Sequence, residues 1–346
     1  MAWKKEPFGK TSQGSAATLY SIENQKGMAL KVTDLGAAIV EIIVSDRDGI
    51  KRDVVLGYED AKGYEDGTYF FGACVGRNAN RTGGASIEIN GEIYCLDKND
   101  GENNLHSGWN FYYQRVFRLS KMEDNSITFV LESPHMDQGF PGRVDIYVTY
   151  TLSEENEVKI AYHAVPDQDT IINLTNHSYF NLNGHDSKEV LAQKVWIDAD
   201  AFTRNLENSV PTGEILDVTG TPMDFRKEKA IGQDIGADYE ALIFGRGYDH
   251  NWVLNGTGLR KVANMYAEES GIHMNVYTDL PGMQFYTANF VENEPGKSGV
   301  IYDMRHGACF ETQCFPDATH HENFASSICK AGTAYDAVTI YEFKIR

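Results

Sequence analysis

Two side chains far apart in the numbering have the chemistry of a proton-transfer pair. Glu311 lies in Cys309-Phe310-Glu311-Thr312-Gln313-Cys314-Phe315-Pro316, among apolar neighbours. Burial there disfavours the carboxylate and moves its pKa up, toward useful general-base strength near neutrality. His177 lies in the stretch Ile-Ile-Asn-Leu-Thr-Asn-His-Ser-Tyr-Phe-Asn-Leu, residues 171–182. Read as one β-strand, this stretch carries Ile172, Leu174, Asn176, Ser178, Phe180 and Leu182 on one face. The other face carries Asn173, Thr175, His177, Tyr179 and Asn181, all hydrogen-bonding and none permanently charged. Such directed, uncharged donors and acceptors suit a polyhydroxylated neutral ligand such as a sugar. The plainer alternatives are a strand whose amides tie neighbouring loops, with His177 a satisfied interior histidine, and a Glu311 buried against an arginine for structure.

Other segments bring similar groups. In Gly76-Arg77-Asn78-Ala79-Asn80-Arg81, either arginine can fork onto sugar hydroxyls or onto a carboxylate. The loop Asn103-Asn104-Leu105-His106-Ser107-Gly108 offers a second imidazole. In Gly247-Tyr248-Asp249-His250-Asn251-Trp252, the aspartate can hold two hydroxyls while Tyr248 or Trp252 stacks on a pyranose face. In Pro281-Gly282-Met283-Gln284-Phe285-Tyr286, Gln284 and Tyr286 share one strand face. Metal chemistry is not expected. His320 and His321 are adjacent, which does not aim two strand imidazoles at one ion, and there is no H-E-x-x-H. A G-x-S-x-G elbow, a P-loop and a dinucleotide fingerprint are also absent.

The elements that position these groups read as strands. Met28, Leu30 and Val32 alternate with polar residues, as do Val40, Ile42 and Val44. Asp46-Arg47-Asp48-Gly49 turns the chain toward Val54-Val55-Leu56. Ile87 and Ile89 run into Asn90-Gly91, a strong hairpin signal. Ile127, Phe129 and Leu131 precede a long strand with Val144, Ile146, Val148, Tyr150 and Leu152 on one face, and Val158, Ile160 and Tyr162 return. The 19 Tyr and 17 Phe favour strands, and 32 Gly supply turns. Helix signals are few; the pattern predicts a weak amphipathic helix over 230–242. With no linker or repeat, the expectation is one all-β domain over residues 1–346, a large antiparallel β-sandwich with few short helices.

The formal net charge of −19 argues against nucleic acid and anionic membranes. No apolar run is long enough to span a bilayer, and no secretory signal is visible. Five cysteines without a C-x-x-C pair fit reduced thiols and a cytoplasmic chain.

Asn173-Leu174-Thr175-Asn176-His177-Ser178-Tyr179-Phe180-Asn181-Leu182 closely resembles the signature of the aldose 1-epimerases, the galactose mutarotases. The resemblance continues in order through Gly76–Arg81, Asn104-Leu105-His106, Asp249-His250-Asn251, Pro281–Thr287 and Glu311-Thr312-Gln313 to Thr339-Ile340-Tyr341-Glu342-Phe343. It implies a galactose mutarotase-like supersandwich with an open sugar cleft and no metal or organic cofactor. The implied activity interconverts the α and β anomers of free aldoses such as galactose and glucose, by a monomer or homodimer whose partner is the sugar itself. By the same resemblance Glu311 is the base, His177 the acid and His106 a second active-site histidine. Asn80, Arg81, Asp249 and Gln284 fall on the sugar-binding positions, and Tyr179, beside His177, joins them. His177 and Glu311 are expected to face each other across one pyranose, with a nearby carboxylate keeping His177 protonated when the sugar is bound. Ser107, where family members often have Gly, and the stretch His320–Phe324 depart from the pattern and are expected near the cleft. Two other readings stay open on the residues alone. One is a glycoside hydrolase using Asp249 and Glu311; the other is a non-catalytic sugar-binding sandwich.

Overall fold

Alternation of apolar and polar residues becomes burial of one strand face. Along Val144–Leu152 every second residue from Val144 is buried and those between are partly exposed. This strand pairs antiparallel with Ser126–Ser133 and Glu157–Ala164, setting Val148 opposite both Phe129 and Tyr162. In the computed structural model, which describes residues 1–346, these strands belong to a nine-stranded antiparallel sheet. It runs on through Tyr335–Ile345, Ile272–Thr278 and Arg260–Tyr266 to Lys194–Ile197 and Lys229–Ala230.

A six-stranded sheet packs on it, ordered Tyr179–Phe180, Ala308–Gln313, Gly282–Tyr286, Asp249–Val253, Ala201–Asn205, Pro211–Asp217. Phe310 and Phe285 are buried in one apolar cluster with Val276, Met274 and Tyr341 of the larger sheet, and the Tyr341 hydroxyl donates to the Phe310 carbonyl at 3.0 Å. Side chains alternate along each strand, so Cys309, Glu311 and Gln313 face the other way. A third, five-stranded sheet holds Lys4–Lys10, Ala16–Glu23, Ala29–Thr33, Ile39–Ser45 and Lys51–Asp53. One cluster of 59 buried residues draws side chains from all three sheets, including Ile42, Ile146 and Phe310. The protein is an all-β sandwich with two short α-helices, Ala61–Asp66 and Glu240–Gly245.

The Asn90-Gly91 hairpin forms as expected, both residues adopting positive φ (54° and 82°) between Ser86–Ile89 and Glu92–Cys95. Three expectations need correction. Residues 171–182 are not one strand. Thr170–Ile171, Thr175–Asn176 and Tyr179–Phe180 each pair with a different partner, namely Ile328–Cys329, Cys74–Val75 and Ala308–Cys309. The whole stretch is buried on both sides, so amide side chains bond displaced backbone where a ladder would otherwise run. The span 230–242 is not a helix. It is a single 3-10 turn at Ile231–Gln233, which contains Gly232, and a helix that begins only at Glu240, with Gly236 in between. Finally, the strand after the Asp46 turn is Lys51–Asp53; Val54–Leu56 follow it as buried residues, Val55 bridging Phe180.

Candidate active site

Antiparallel registry assembles the floor of the site from distant residues. Gln284 sits opposite Glu311 and Asn251 opposite Gln284, one row across three strands. In the next row Cys309 lies between Tyr179 and Tyr286, with Asp249 beyond. Directly opposed residues in such a ladder point to the same face. Over this face opens a cavity of about 210 Å³, lined in part by Asn80, Arg81, His106, His177, Tyr179, Asp249, Gln284 and Glu311. At roughly 30 Å³ per water this is the space of about seven waters, the scale of one monosaccharide. All eight residues expected to act on or bind a sugar therefore line one cavity.

The proton-transfer candidates touch. His177 Nε2 lies 3.5 Å from Glu311 Oε2, with the two side chains only 7% and 3% exposed. They stand side by side rather than across the cavity from one another. Burial pushes the Glu311 carboxyl well above the usual range; Asp249 adds to this and Arg81 opposes it. Burial also takes His177 down to about 4. In the free site, therefore, the adjoining carboxyl does not hold His177 protonated. Desolvation outweighs the neighbouring carboxyl, and both partners are driven toward neutrality.

The second histidine is held differently. His106, at φ 50°, accepts the Asn80 backbone N–H at Nδ1 (3.1 Å), while its backbone N–H donates to the Asn80 backbone carbonyl at 2.9 Å. With Nδ1 engaged as acceptor, neutral His106 carries its hydrogen on Nε2. Burial, aided by His177 and Arg81, holds its pKa well below normal. His106 is therefore a fixed hydrogen-bond donor. Donor atoms of His106, His177 and Glu311 all lie within 4.8 Å of one another, a set that resembles a metal site. The tautomer of His106 argues against that use, because its free nitrogen presents a hydrogen and not a lone pair.

The binding groups are pre-set. Gln284 Nε2 donates to Asp249 Oδ1 at 2.7 Å, and Gln313 Nε2 donates to Gln284 Oε1 at 3.4 Å. Arg81 pairs with Asp100 (Nε–Oδ2 2.9 Å) at the rim. Of the two arginines in Gly76–Arg81, only this one reaches the cavity. Arg77 is fully buried, and its guanidinium donates to the carbonyls of Ser133, Pro141 and Gly142 and to Ser133 Oγ. Replacing Arg77 with Leu is expected to cost ~3 kcal/mol or more by stranding those acceptors, lowering the melting temperature in a thermal scan.

Several sequence expectations fall outside the cavity. Tyr248 and Trp252 occupy the core side of their strand, donating to the carbonyls of Pro222 (3.2 Å) and Met223 (3.1 Å), so neither stacks on a ligand. Of the polar face read from residues 171–182, only His177 and Tyr179 line the cavity. Asn173 and Asn181 tie loops instead, for example Asn181 Nδ2 to the His306 carbonyl at 2.9 Å, and Asn176, from the other face, does the same to the Gly72 carbonyl at 2.8 Å. Ser107 turns away to bond the Asn78 backbone in both directions. The 320–324 stretch packs against Pro211 and Gly213. Conversely, Tyr69, Phe70 and Phe290 line the cavity without having been singled out. The available signal was the aromatic run Tyr69-Phe70-Phe71 between Gly67 and Gly72.

Two buried histidines, His177 and His250, have pKa values taken down to about 4 by desolvation. An unfolded chain titrates them at about 6.5, so between these values the unfolded state binds more protons. Their contribution to stability is therefore expected to fall as pH drops from about 6.5 to about 4, opposite in sign to that of the buried Glu311 carboxyl. The check is a comparison with His250→Asn: a melting-temperature difference from wild type that stays flat across that window would contradict the environment of His250.

Comparison with known proteins agrees with this geometry. A family model for aldose 1-epimerase matches residues 18–342. The chain is 37% identical over 341 residues to galactose mutarotase of Bos taurus, covering 98% of this chain and 97% of that one. It is 35% identical over 335 residues to aldose 1-epimerase of Haemophilus influenzae, covering 96% and 97%. The crystal structure of an aldose epimerase homologue from C. elegans superposes with a TM-score of 0.87 at 28% identity, covering 94% of this chain and 98% of that one. With likeness running nearly end to end, and with the cavity built from the matching segments, this chain belongs to the aldose 1-epimerase family, carbohydrate isomerases of the mutarotase type.

Proposed function

We propose that the protein interconverts the α and β anomers of free aldoses such as galactose and glucose, with Glu311 as base and His177 as acid. The observation that carries this is the 3.5 Å contact of His177 Nε2 with Glu311 Oε2 on the floor of a cavity of monosaccharide size. Anomer exchange needs a proton removed from the anomeric hydroxyl and one delivered to the ring oxygen. Both oxygens are bonded to the anomeric carbon, so the groups serving them must sit side by side, as these two do. The ring opens, the aldehyde rotates about its bond to the chain, and closure on its other face runs the two transfers backward.

The proton count closes. Neutral Glu311 with neutral His177 and ionised Glu311 with imidazolium differ only by one proton moved between them. Burial favours the neutral form in the empty cavity. Sugar hydroxyls that hydrogen-bond the carboxylate replace lost solvation and favour the ionised, reactive form. His106 supplies a standing N–H donor, and Asp249 and Gln284 hold hydroxyls in fixed directions. The specificity for a neutral sugar follows from Arg81, the one cationic side chain in the lining, being paired with Asp100. Galactose is the substrate named for the mammalian relatives. The five unpaired cysteines fit a reducing, cytoplasmic setting for hexose metabolism, and the shared 59-residue core fits one domain over residues 1–346.

Polarimetry on freshly dissolved α-galactose tests the function. The expected result is faster decay to the equilibrium rotation; decay at the uncatalysed rate would remove the proposal. An aryl galactoside is expected to release no aglycone, since no bond to an aglycone is broken. Release would favour hydrolysis by Asp249 and Glu311 instead.

A further inference from the structure

We propose that Cys309 is a positioning residue for this proton transfer. Its buried thiol accepts the Nδ1–H of His177 and so reserves Nε2 as the nitrogen that exchanges protons with the sugar and Glu311. The inference rests on the assignment of His177 as the acid.

The fold puts the sulfur where this role requires it. Cys309 is two residues before Glu311 on the same strand face, and in register it lies between Tyr179 and Tyr286. Its Sγ is 3.7 Å from His177 Nδ1, while the other ring nitrogen meets Glu311. The imidazole plane is already set by packing. Phe70 and Tyr179 stack on it with centroids at 5.7 and 5.0 Å and interplanar angles of 26°; His106 and Tyr286 meet it edge-on at 80° and 78°. Stacking fixes a plane but does not choose between the two nitrogens or between the two ring orientations related by a half-turn. Only directional contacts do that. At Nδ1 the side-chain contact is the thiol, beside the residue's own backbone. A thiol can donate or accept, and the carboxyl of Glu311, donating to Nε2 when neutral, turns it to accepting.

The catalytic cycle demands one tautomer. As imidazolium, His177 carries hydrogen on both nitrogens. After Nε2 gives its proton to the ring oxygen, the neutral ring must keep the hydrogen on Nδ1, leaving a lone pair on Nε2 to take the proton back. The other neutral tautomer, with hydrogen on Nε2, accepts nothing at the reacting position and is unproductive. A hydrogen-bond acceptor at Nδ1 therefore raises the productive fraction. A protonated thiol suits this better than a thiolate, whose charge would hold the imidazolium too firmly. Burial, with Glu311 and Asp249 adding to it, keeps Cys309 a thiol. His106 provides the contrast within the same cavity, because its Nδ1 meets a backbone donor and its Nε2 is locked as N–H. The two histidines thus carry opposite tautomers, one to exchange protons and one only to donate.

The test uses the whole enzyme labelled with ¹⁵N-histidine, with the His177 resonances assigned by their loss in His177→Asn. Wild-type protein is expected to show neutral His177 with hydrogen on Nδ1. Cys309→Ala is expected to shift that signal toward the Nε2–H tautomer and to lower kcat about tenfold with KM little changed. Cys309→Ser, whose hydroxyl also accepts, is expected to keep the tautomer and most of kcat. A wild-type spectrum with hydrogen on Nε2 overturns the proposal. So does a Cys309→Ala variant with unchanged tautomer and rate, or equal loss in both variants without a tautomer change, which would mean a packing role. If the alanine variant does not fold, the wild-type and serine spectra decide alone. Failure of the acid assignment itself is read separately, from undiminished turnover in His177→Asn.

Discussion

Glu311→Gln is expected to lower kcat for anomer exchange by about 10²–10⁴-fold, the usual contribution of one proton-transfer partner. Glutamine keeps the shape and one carbonyl acceptor of the side chain but cannot take a proton. The row across three strands, Glu311–Gln284–Asn251, supplies polar neighbours for the new amide, so the loss falls on kcat more than on KM. Stability is expected to move the other way. The buried carboxyl has a pKa raised well above normal, so the folded state binds more protons than the unfolded state once pH exceeds the ordinary carboxylate value. This group therefore costs stability as pH rises, and the glutamine variant should melt at or above the wild-type temperature at neutral pH, by a margin that grows with pH. Polarimetric kcat and a thermal scan check both halves. Near-normal turnover in a folded variant would remove Glu311 as the base.

His177→Asn is expected to lose activity on the same scale, about 10²–10⁴-fold. Asparagine can still offer a hydrogen bond to the ring oxygen, so binding is retained better than rate. It cannot deliver and recover a proton. The wild-type pH–rate profile should be bell-shaped, because the active pair holds one proton between two groups. A second proton at low pH leaves no base, and loss of the shared proton at high pH leaves no acid. The two limbs belong to the coupled pair, not to either residue alone. Each single variant is expected to flatten the bell, leaving a small rate with little pH dependence. A His177→Asn enzyme that keeps both the wild-type rate and the bell would show that another group is the acid, with His106 the nearest alternative. His106 is disfavoured for that role because Asn80 N–H occupies its Nδ1, so an imidazolium there would set two hydrogens against each other.

Much of the architecture was legible as period-two alternation. Val144–Leu152 and Ser126–Ser133 bury the residues that alternation selected, and Asn90-Gly91 makes the hairpin its left-handed backbone favours. Legibility failed where burial is two-sided. Residues 171–182 read as one strand with a polar face, yet Asn173 and Asn181 of that face, and Asn176 of the other, spend their amides on backbone groups of other loops, and the stretch breaks into pieces pairing with three different segments. Tyr248 and Trp252 read as stacking platforms beside Asp249, but a strand sends its odd and even residues to opposite faces. Asp249 took the cavity and the aromatics took the core.

The chain's own residue pattern determined an all-β sandwich, and its ordered motifs pointed to imidazoles, carboxyls and amides that come to line one cavity. Local sequence carries that information because alternation, turn residues and short polar segments act over a few residues. Three things were decided only in the folded molecule. They are the side-by-side contact of His177 with Glu311, the desolvation that drives that pair toward neutrality, and the groups set against Nδ1 of the two histidines, the Cys309 thiol on one and the Asn80 N–H on the other. The contacts of His177 with Glu311 and Cys309 join residues more than a hundred positions apart, and the Asn80–His106 contact joins residues 26 apart; all rest on how strands are brought together and water is excluded. Desolvation and hydrogen-bond direction are properties of a three-dimensional neighbourhood, and that neighbourhood exists only once the sheets have closed over one another.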